Sequence, residues 1–202
     1  MLRQTEALRA ILQQPLDYLH PHRGVVPALF GEPATRALLN QSLLRRLALS
    51  CPDPQQLKRN PWTDCWIANW QHLPVVSRLM GAHLMWPRLA RGARMRELNA
   101  PTRAFARIDL GNRPMVAVSE ADGLEQSLSA LGLAALTAWH QHIPEALMQR
   151  LFLQFSPPVV EFQQTLPLLA PNPSLFILAI QHARIHQNAC GYSVDGCPPA
   201  EA

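Results

Sequence analysis

The apolar residues of this chain recur every three or four positions over most of its length, which is the periodicity of amphipathic helices. One stretch of leucines shows the pattern clearly: Leu38, Leu39, Leu43, Leu44 and Leu47. The same spacing predicts helices over residues 5–14, 33–49, 74–86, 87–98, 101–110, 119–142, 144–155 and 174–189. A further helix is predicted from Pro61, capped by Asn60. The helix over residues 119–142, opened by a capping box at Ser119 and Asp122, should be the longest.

Proline marks the boundaries between these segments. The chain has 19 prolines and only 9 glycines, and proline is tolerated in the first turn of a helix but not in its interior. Residues 156–173 contain five prolines, so they are predicted to be extended or broken. Residues 116–118 and 151–155 are the only plausible strands, both very short. We therefore predict an all-α fold: one compact helical domain over residues 1–190 and a flexible C-terminal tail over residues 191–202.

Composition narrows the functional class further. Of the 202 residues, 48% are apolar and 16% are charged, which predicts a self-folding chain with surface available for partners. The N-terminal segment is amphipathic rather than a signal peptide, and no apolar run approaches the ~20 residues of a membrane span. We expect a cytoplasmic protein whose cysteines stay reduced.

Motifs for catalysis are missing from the sequence. There is no phosphate-binding glycine loop, no nucleophile elbow and no metalloprotease motif, and the acidic residues are scattered. We predict that the protein is not an enzyme and needs no cofactor. Three tryptophans, Trp62, Trp66 and Trp70, follow one another at helical spacing. A partner surface is one interpretation of them, but a stripe of this kind normally faces the core.

A metal site is the first alternative that the residues raise. His182, His186 and Cys190 are spaced by four, and Cys197 follows after a glycine-containing link. Imidazole and thiolate ligands suit zinc. The wide last spacing instead favours solvated helix residues and a loose tail, so we predict no stoichiometric metal.

The second feature is a marked excess of arginine between residues 78 and 113, here called the arginine segment. It carries two acidic residues, Glu97 and Asp109, against eight arginines: Arg78, Arg88, Arg91, Arg94, Arg96, Arg103, Arg107 and Arg113. Arg88, Arg91 and Arg94 are predicted to share one helix face. The segment fits an acidic protein partner, a nucleic acid or lipid head groups, or a merely solvated surface.

Two segments resemble the SctK family of type III secretion adaptor proteins, which includes YscK and PscK. The first is LDYLHP at residues 16–21, with Tyr18, Leu19 and His20 as the family-like element. The second is GLAALTAWHQHIPEALMQRLFLQFSP at residues 132–157, which ends in a run beginning with Arg150 and Leu151. Neither motif is catalytic. We predict that Tyr18 and Leu19 pack against the domain and that His20 bonds to backbone.

The resemblance implies a function that the residues alone do not. SctK-like proteins are non-enzymatic adaptors of the cytosolic sorting platform of the injectisome. They lie between the inner-membrane ring protein (SctD-like) and the pod protein (SctQ-like), and the pods lead on to the stator (SctL-like) and the ATPase (SctN-like). The expected place is the cytosolic face of the inner-membrane secretion apparatus. The alternative is a small helical metal-binding or nucleic-acid-binding protein.

Overall fold

The computed structural model of the chain describes residues 2–91, 93–111 and 123–186. Helices account for 69% of these residues and strands for none of them, which confirms the predicted all-α class. Nine α-helices occur in the described part: α1 Leu2–Gln13, α2 Pro33–Arg46, α3 Pro61–Ala68, α4 Leu73–Leu89, α5 Ala100–Ala106, α6 Leu124–Thr137, α7 Glu145–Leu151, α8 Pro157–Thr165 and α9 Pro173–Ile185. Short 3₁₀ helices link them at Pro15–Asp17, Pro21–Arg23, Ala28–Phe30, Trp70–His72, Ala93–Arg96 and Phe152–Gln154.

Asparagine followed within two residues by proline opens several of these helices. The side chains of Asn60, Asn99 and Asn172 each accept a hydrogen bond from the backbone N–H three residues ahead, at 2.9–3.0 Å. Each cap satisfies one of the N–H groups that a helix start leaves without an intrahelical partner. The proline then occupies the first turn, where its missing N–H costs nothing.

The core is built around the close pairing of α4 and α6. Gly81 and Gly132 let the two backbones approach closely. A Cβ on Gly81 would lie within 2 Å of the Leu128 carbonyl oxygen, and a Cβ on Gly132 would lie within 2 Å of the Ser77 carbonyl oxygen. The Ser77 hydroxyl also donates a hydrogen bond to the Ser129 carbonyl across the pair, at 3.1 Å. Helices α1, α3, α5, α7, α8 and α9 pack around this pair and add buried apolar side chains to one continuous cluster.

The tryptophan stripe contributes to this cluster. Trp66 and Trp70 are buried and Trp62 is half-buried against the core. Helix α2, in contrast, buries a single residue, Asn40, whose side chain accepts a hydrogen bond from the Leu16 N–H at 3.0 Å. Helix α2 is therefore a peripheral element that is tied to the N-terminal segment.

Several helix boundaries differ from the sequence-based prediction. Pro87 does not start a helix: α4 runs through it and ends at Leu89, because a proline in the last turn removes only one hydrogen bond. The longest described helix is accordingly α4, with 17 residues, rather than α6, with 14. Residues 157–165, predicted to be broken, form α8, since Pro157 and Pro158 both lie in its first turn.

Residues 151–155, which the sequence also offered as a plausible short strand, are helical for most of their length, in agreement with the helix predicted over residues 144–155. Leu151 ends α7, Phe152–Gln154 form a 3₁₀ helix, and only Phe155 has an extended backbone. The predicted strand at residues 116–118, the capping box at Ser119 and Asp122, and the tail at residues 191–202 lie outside the described residues. The domain limits of 1–190 stay a prediction.

Candidate protein-interaction site

The fold brings together the two segments that resemble the SctK family, although more than 100 residues separate them. Arg150, at the end of the second segment, is fully buried. Its Nε and one terminal nitrogen donate to the Leu12 carbonyl at 3.2 and 2.7 Å, and the other terminal nitrogen donates to the Ala146 carbonyl at 2.9 Å. Leu12 lies in the last turn of α1, where carbonyls lack intrahelical partners. Arg150 therefore caps the C-terminus of α1.

Tyr18 and Gln154 both contact Trp70. The Tyr18 hydroxyl donates to the Ile11 carbonyl at 2.6 Å, and its ring meets the Trp70 ring edge-on at 5.4 Å between centroids. Burial raises the pKa of Tyr18 well above its ordinary value. The Gln154 amide donates to the Trp70 carbonyl at 3.1 Å and accepts from the indole N–H at 3.2 Å. Trp70 thus joins the first segment to the second.

His20 completes this junction through its backbone. Its N–H donates to the Leu153 carbonyl at 2.8 Å, while its ring Nδ1 accepts from the His22 N–H at 3.1 Å. The Arg23 Nε donates to the Phe155 carbonyl at 2.7 Å. Burial, together with the neighbouring His22 and Arg23, lowers the pKa of His20. Because Nδ1 accepts a hydrogen bond from a backbone N–H, the ring proton is placed on Nε2.

A cleft of about 490 Å³ opens beside this junction; we call it the junction cleft. Its walls come from the 3₁₀ helix at residues 21–23, the middle of α4, and the N-terminal turns of α6 and α8. The lining combines apolar and polar side chains, among them His20, His22, Glu125, Ser129, Phe155 and Val159. A concave site with a few convergent polar groups is the usual form of a binding site.

One ion pair dominates the electrostatics of the junction cleft. Arg78 binds the Glu125 carboxylate through two parallel hydrogen bonds of 2.6 Å, and its remaining terminal nitrogen donates to the Thr102 hydroxyl at 2.7 Å. Glu125 is the one carboxylate among the lining residues, and both of its oxygens are engaged by Arg78. The carboxylate of Glu125 is therefore held in an ion pair rather than presented to the cleft.

Comparison with known proteins places the chain in a family. Residues 8–185 match the family described as bacterial type III secretion apparatus protein (OrgA_MxiK). The chain belongs to the OrgA_MxiK family. It is 31% identical over 179 residues to the oxygen-regulated invasion protein OrgA of Salmonella typhimurium strains 14028s, SL1344 and LT2. That alignment covers 88% of this chain and 87% of OrgA. No solved structure matches the chain.

Membership of the OrgA_MxiK family confirms the resemblance to SctK proteins and identifies the chain as a type III secretion apparatus protein. The family is a structural or accessory part of the apparatus and is not known as an enzyme. Within the described residues, none of the helices combines the length and the apolar character needed to cross a membrane.

The three arginines singled out from the sequence do not share a helix face, contrary to the prediction. Arg88 lies in the last turn of α4, Arg91 follows in a turn, and Arg94 lies in the 3₁₀ helix at residues 93–96. The physical cause is the end of α4 at Leu89, which redirects the chain. Arg91 is exposed, whereas Arg88 and Arg94 are half-exposed. Arg113 lies outside the described residues.

The histidines of the proposed metal site lie at the end of α9. The rings of His182 and His186 are 4.5 Å apart between centroids, and His182 meets Phe105 edge-on at 5.2 Å. Burial, with a contribution from His186, lowers the pKa of His182. Cys190 and Cys197 lie outside the described residues, and the residues that are described contain no cluster of three metal ligands. His182 thus packs against Phe105 of the core, and His186 packs against His182.

Sequence analysis missed most of the residues that line the junction cleft. In the sequence Arg78 is one of the eight arginines of the arginine segment, and its partner Glu125 is 47 residues away. No local spacing links the two residues, because the pair is created by the close packing of α4 against α6. The family-like motifs at residues 18–20 and 150–157 were the one signal that pointed to this region.

Proposed function

We propose that this chain is a non-enzymatic adaptor that links the inner-membrane ring protein (SctD-like) to the pod protein (SctQ-like) in the sorting platform of the injectisome. The observation that carries the proposal is the OrgA_MxiK match over residues 8–185. In this function the chain acts at the cytosolic face of the inner membrane. Through the pods it connects indirectly to a stator (SctL-like) and an ATPase (SctN-like).

The way the fold uses the polar residues of the family-like segments supports the proposal. The conspicuous polar side chains of the two family-like segments, Arg150 and Tyr18, are used for internal hydrogen bonds rather than for a reactive centre. An adaptor needs a rigid body and complementary surfaces, and it has no transition state to stabilise. The junction cleft and the arginine segment are two such surfaces, and both are bordered by α4.

Co-purification tests the proposal directly. The full chain would be expressed with a tagged SctQ-like protein, with a tagged cytosolic SctD-like domain, and with both. The adaptor function predicts a binary complex with each partner and a ternary complex when all three are present. If the chain bound neither partner, or if the two partners competed for it, the proposed linkage would be wrong.

A further inference from the structure

The junction cleft has a composition that defines the chemistry of its occupant. We infer that it receives a short segment of the SctQ-like pod protein that carries a large apolar side chain next to a carboxylate. This inference rests on the proposed adaptor function and adds to it the docking site and the kind of segment that is recognised.

The apolar part of the occupant follows from the wall and volume of the cleft. Three apolar residues at and just before the start of α8 line the cleft: Phe155 and Val159, which are buried, and Pro158, which is exposed. The volume of about 490 Å³ lies within the range of ligand pockets. A cleft of this size accommodates one leucine or phenylalanine side chain with the adjoining backbone, and burial of such a side chain favours binding.

The polar part of the occupant follows from the hydrogen-bond donors. The His20 ring accepts at Nδ1 from the His22 N–H, so its Nε2 carries the proton and acts as a donor. The centroid of the His22 ring lies 5.0 Å from that of His20, and Ser129, only 7% exposed, also lines the cleft. Donors beside an apolar wall match a segment that presents oxygen acceptors.

The charge of the rim favours a carboxylate over a neutral acceptor. Because Arg78 neutralises Glu125, the cleft presents no uncompensated negative charge from its lining residues. Arg23 does not line the cleft itself, but its Nε donates to the carbonyl of the lining residue Phe155 at 2.7 Å, so its guanidinium lies close to the cleft. The α6 N-terminus, at Glu125 and Gln126, also borders the cleft and contributes partial positive charge.

The position of the cleft connects it with the arginine segment. Arg78 lines the cleft, and Arg88 lies ten residues later on the same helix, which is about 15 Å along the axis. One acidic partner surface can therefore span both features. The arginine segment would guide association, while the cleft would hold the bound segment in place.

A cleft-filling variant tests the inference. Gln126 is half-buried and lines the cleft, and its one side-chain hydrogen bond within the described residues, to the Pro158 carbonyl, is long at 3.4 Å. Gln126→Trp would occupy the cleft with little loss of internal bonding. The matched control is Gln41→Trp on the exposed surface of α2. We expect Gln126→Trp to weaken pod-protein binding at least about tenfold, as for loss of a central anchor, and Gln41→Trp to leave it unchanged.

The outcomes separate this inference from the adaptor function. If wild-type chain binds the pod protein and Gln126→Trp, shown by circular dichroism and melting temperature to be folded, binds equally well, the cleft inference is overturned and the adaptor function stands. If the wild-type chain does not bind the pod protein, the adaptor function itself fails, and the inference fails with it.

A crosslinking experiment identifies the occupant. A photo-crosslinking amino acid would be placed at position 22, on the exposed side of the cleft, with position 41 as the control. Mass spectrometry should find a pod-protein peptide in which a large apolar residue adjoins Asp or Glu, captured from position 22 and not from position 41. Capture of a peptide without an acidic residue, or of the ring protein alone, would overturn the inferred chemistry.

Discussion

Arg150 is a buried charged side chain whose hydrogen bonds join two helices. Its guanidinium joins the end of α1 to α7 through the Leu12 and Ala146 carbonyls, and it also contacts the Cys51 Sγ at 3.1 Å. Hydrogen bonds from charged groups are stronger than neutral ones, and an unpaired buried carbonyl is costly. This residue therefore contributes to stability through geometry that its position in the sequence does not reveal.

Arg150→Ala should destabilise the protein strongly. The substitution leaves the Leu12 carbonyl without its donor and opens a cavity, so we expect the free energy of unfolding to fall by about 3–5 kcal/mol. Urea denaturation with a spectroscopic probe measures the change. Arg46→Ala, at the exposed end of α2, serves as the control and should alter stability by less than about 0.5 kcal/mol. A loss at position 150 no larger than at position 46 would refute the capping role.

Tyr18 should make stability dependent on alkaline pH. Burial raises its pKa in the folded state, so the fold favours the protonated phenol. At pH values below about 10, the pKa of tyrosine in the unfolded chain, this contribution to the free energy of unfolding is fully present. Above that pH it declines by up to about 1.4 kcal/mol per pH unit. Tyr18→Phe loses the hydrogen bond to Ile11, about 1 kcal/mol near neutral pH, but lacks the alkaline decline. The stability difference between wild type and variant should therefore vanish near pH 11, as urea titrations across pH would show. A difference independent of pH would contradict this account.

At the scale of elements, the α4–α6 contact depends on two glycines. A Cβ at Gly81 would lie 1.9 Å from the Leu128 carbonyl oxygen, and one at Gly132 would lie 1.7 Å from the Ser77 carbonyl oxygen. The obstructing atoms belong to backbone, so they cannot move without separating the helices. The pairing of these two elements is consequently sensitive to a single methyl group.

Gly81→Ala and Gly132→Ala should each cost more than about 3 kcal/mol, the upper end of ordinary overpacking. Gly123→Ala is the matched control, because it precedes α6 with open space around the position of its Cβ. We expect the control to change stability by less than about 1 kcal/mol. Thermal unfolding followed by circular dichroism would measure all three variants. Equal melting temperatures for the three would show that the helices can separate without penalty.

Some helix starts show where apolar periodicity and proline position are sufficient to predict the secondary structure. The helices beginning at Pro33, Pro61 and Pro173 start where the sequence predicts within one residue. The differences at Pro87 and at residues 157–165 share a cause: whether a proline ends a helix depends on which turn of the helix it occupies. In the first or last turn of a helix, proline removes few or no hydrogen bonds, so packing decides whether the helix continues.

For the whole molecule, the arginine segment supplies the clearest charge asymmetry. Arg78 is committed to Glu125, while Arg88, Arg91 and Arg94 follow one another around the end of α4 rather than along one face. An acidic partner can still contact the exposed parts of these side chains. Exposed ion pairs contribute only about 0.2–1 kcal/mol each, so their joint effect should be mainly on the association rate.

Reversal of Arg88, Arg91 and Arg94 to glutamate should slow association with the pod protein and weaken binding by about tenfold or more at low salt. The difference from wild type should shrink as salt rises, because exposed charges are screened. The control reverses Arg9, Arg45 and Arg46, which are exposed on other elements, and changes net charge equally. Titrations at low and high salt would measure both variants. Equal affinity of the two triple variants at low salt would show that the arginine segment is a solvated surface only.

What the sequence alone determined is the local part of this protein. Leucine spacing, asparagine caps and first-turn prolines dictate an all-α chain, because helix formation depends on residues three or four positions apart. The motifs around Tyr18 and Arg150 were sufficient to indicate the family. Neither result required knowledge of which helices touch.

Only the tertiary structure decided which helices contact one another and which site they form. The capping of Leu12 by Arg150 spans 138 residues, and the hydrogen bond from Arg23 to Phe155 spans 132. The junction cleft exists because α6 and α8 begin beside the N-terminal segment. Such contacts depend on the packing of surfaces, which the periodicity of a single helix cannot specify. The sequence thus predicted the elements and the family, and the packing created the site.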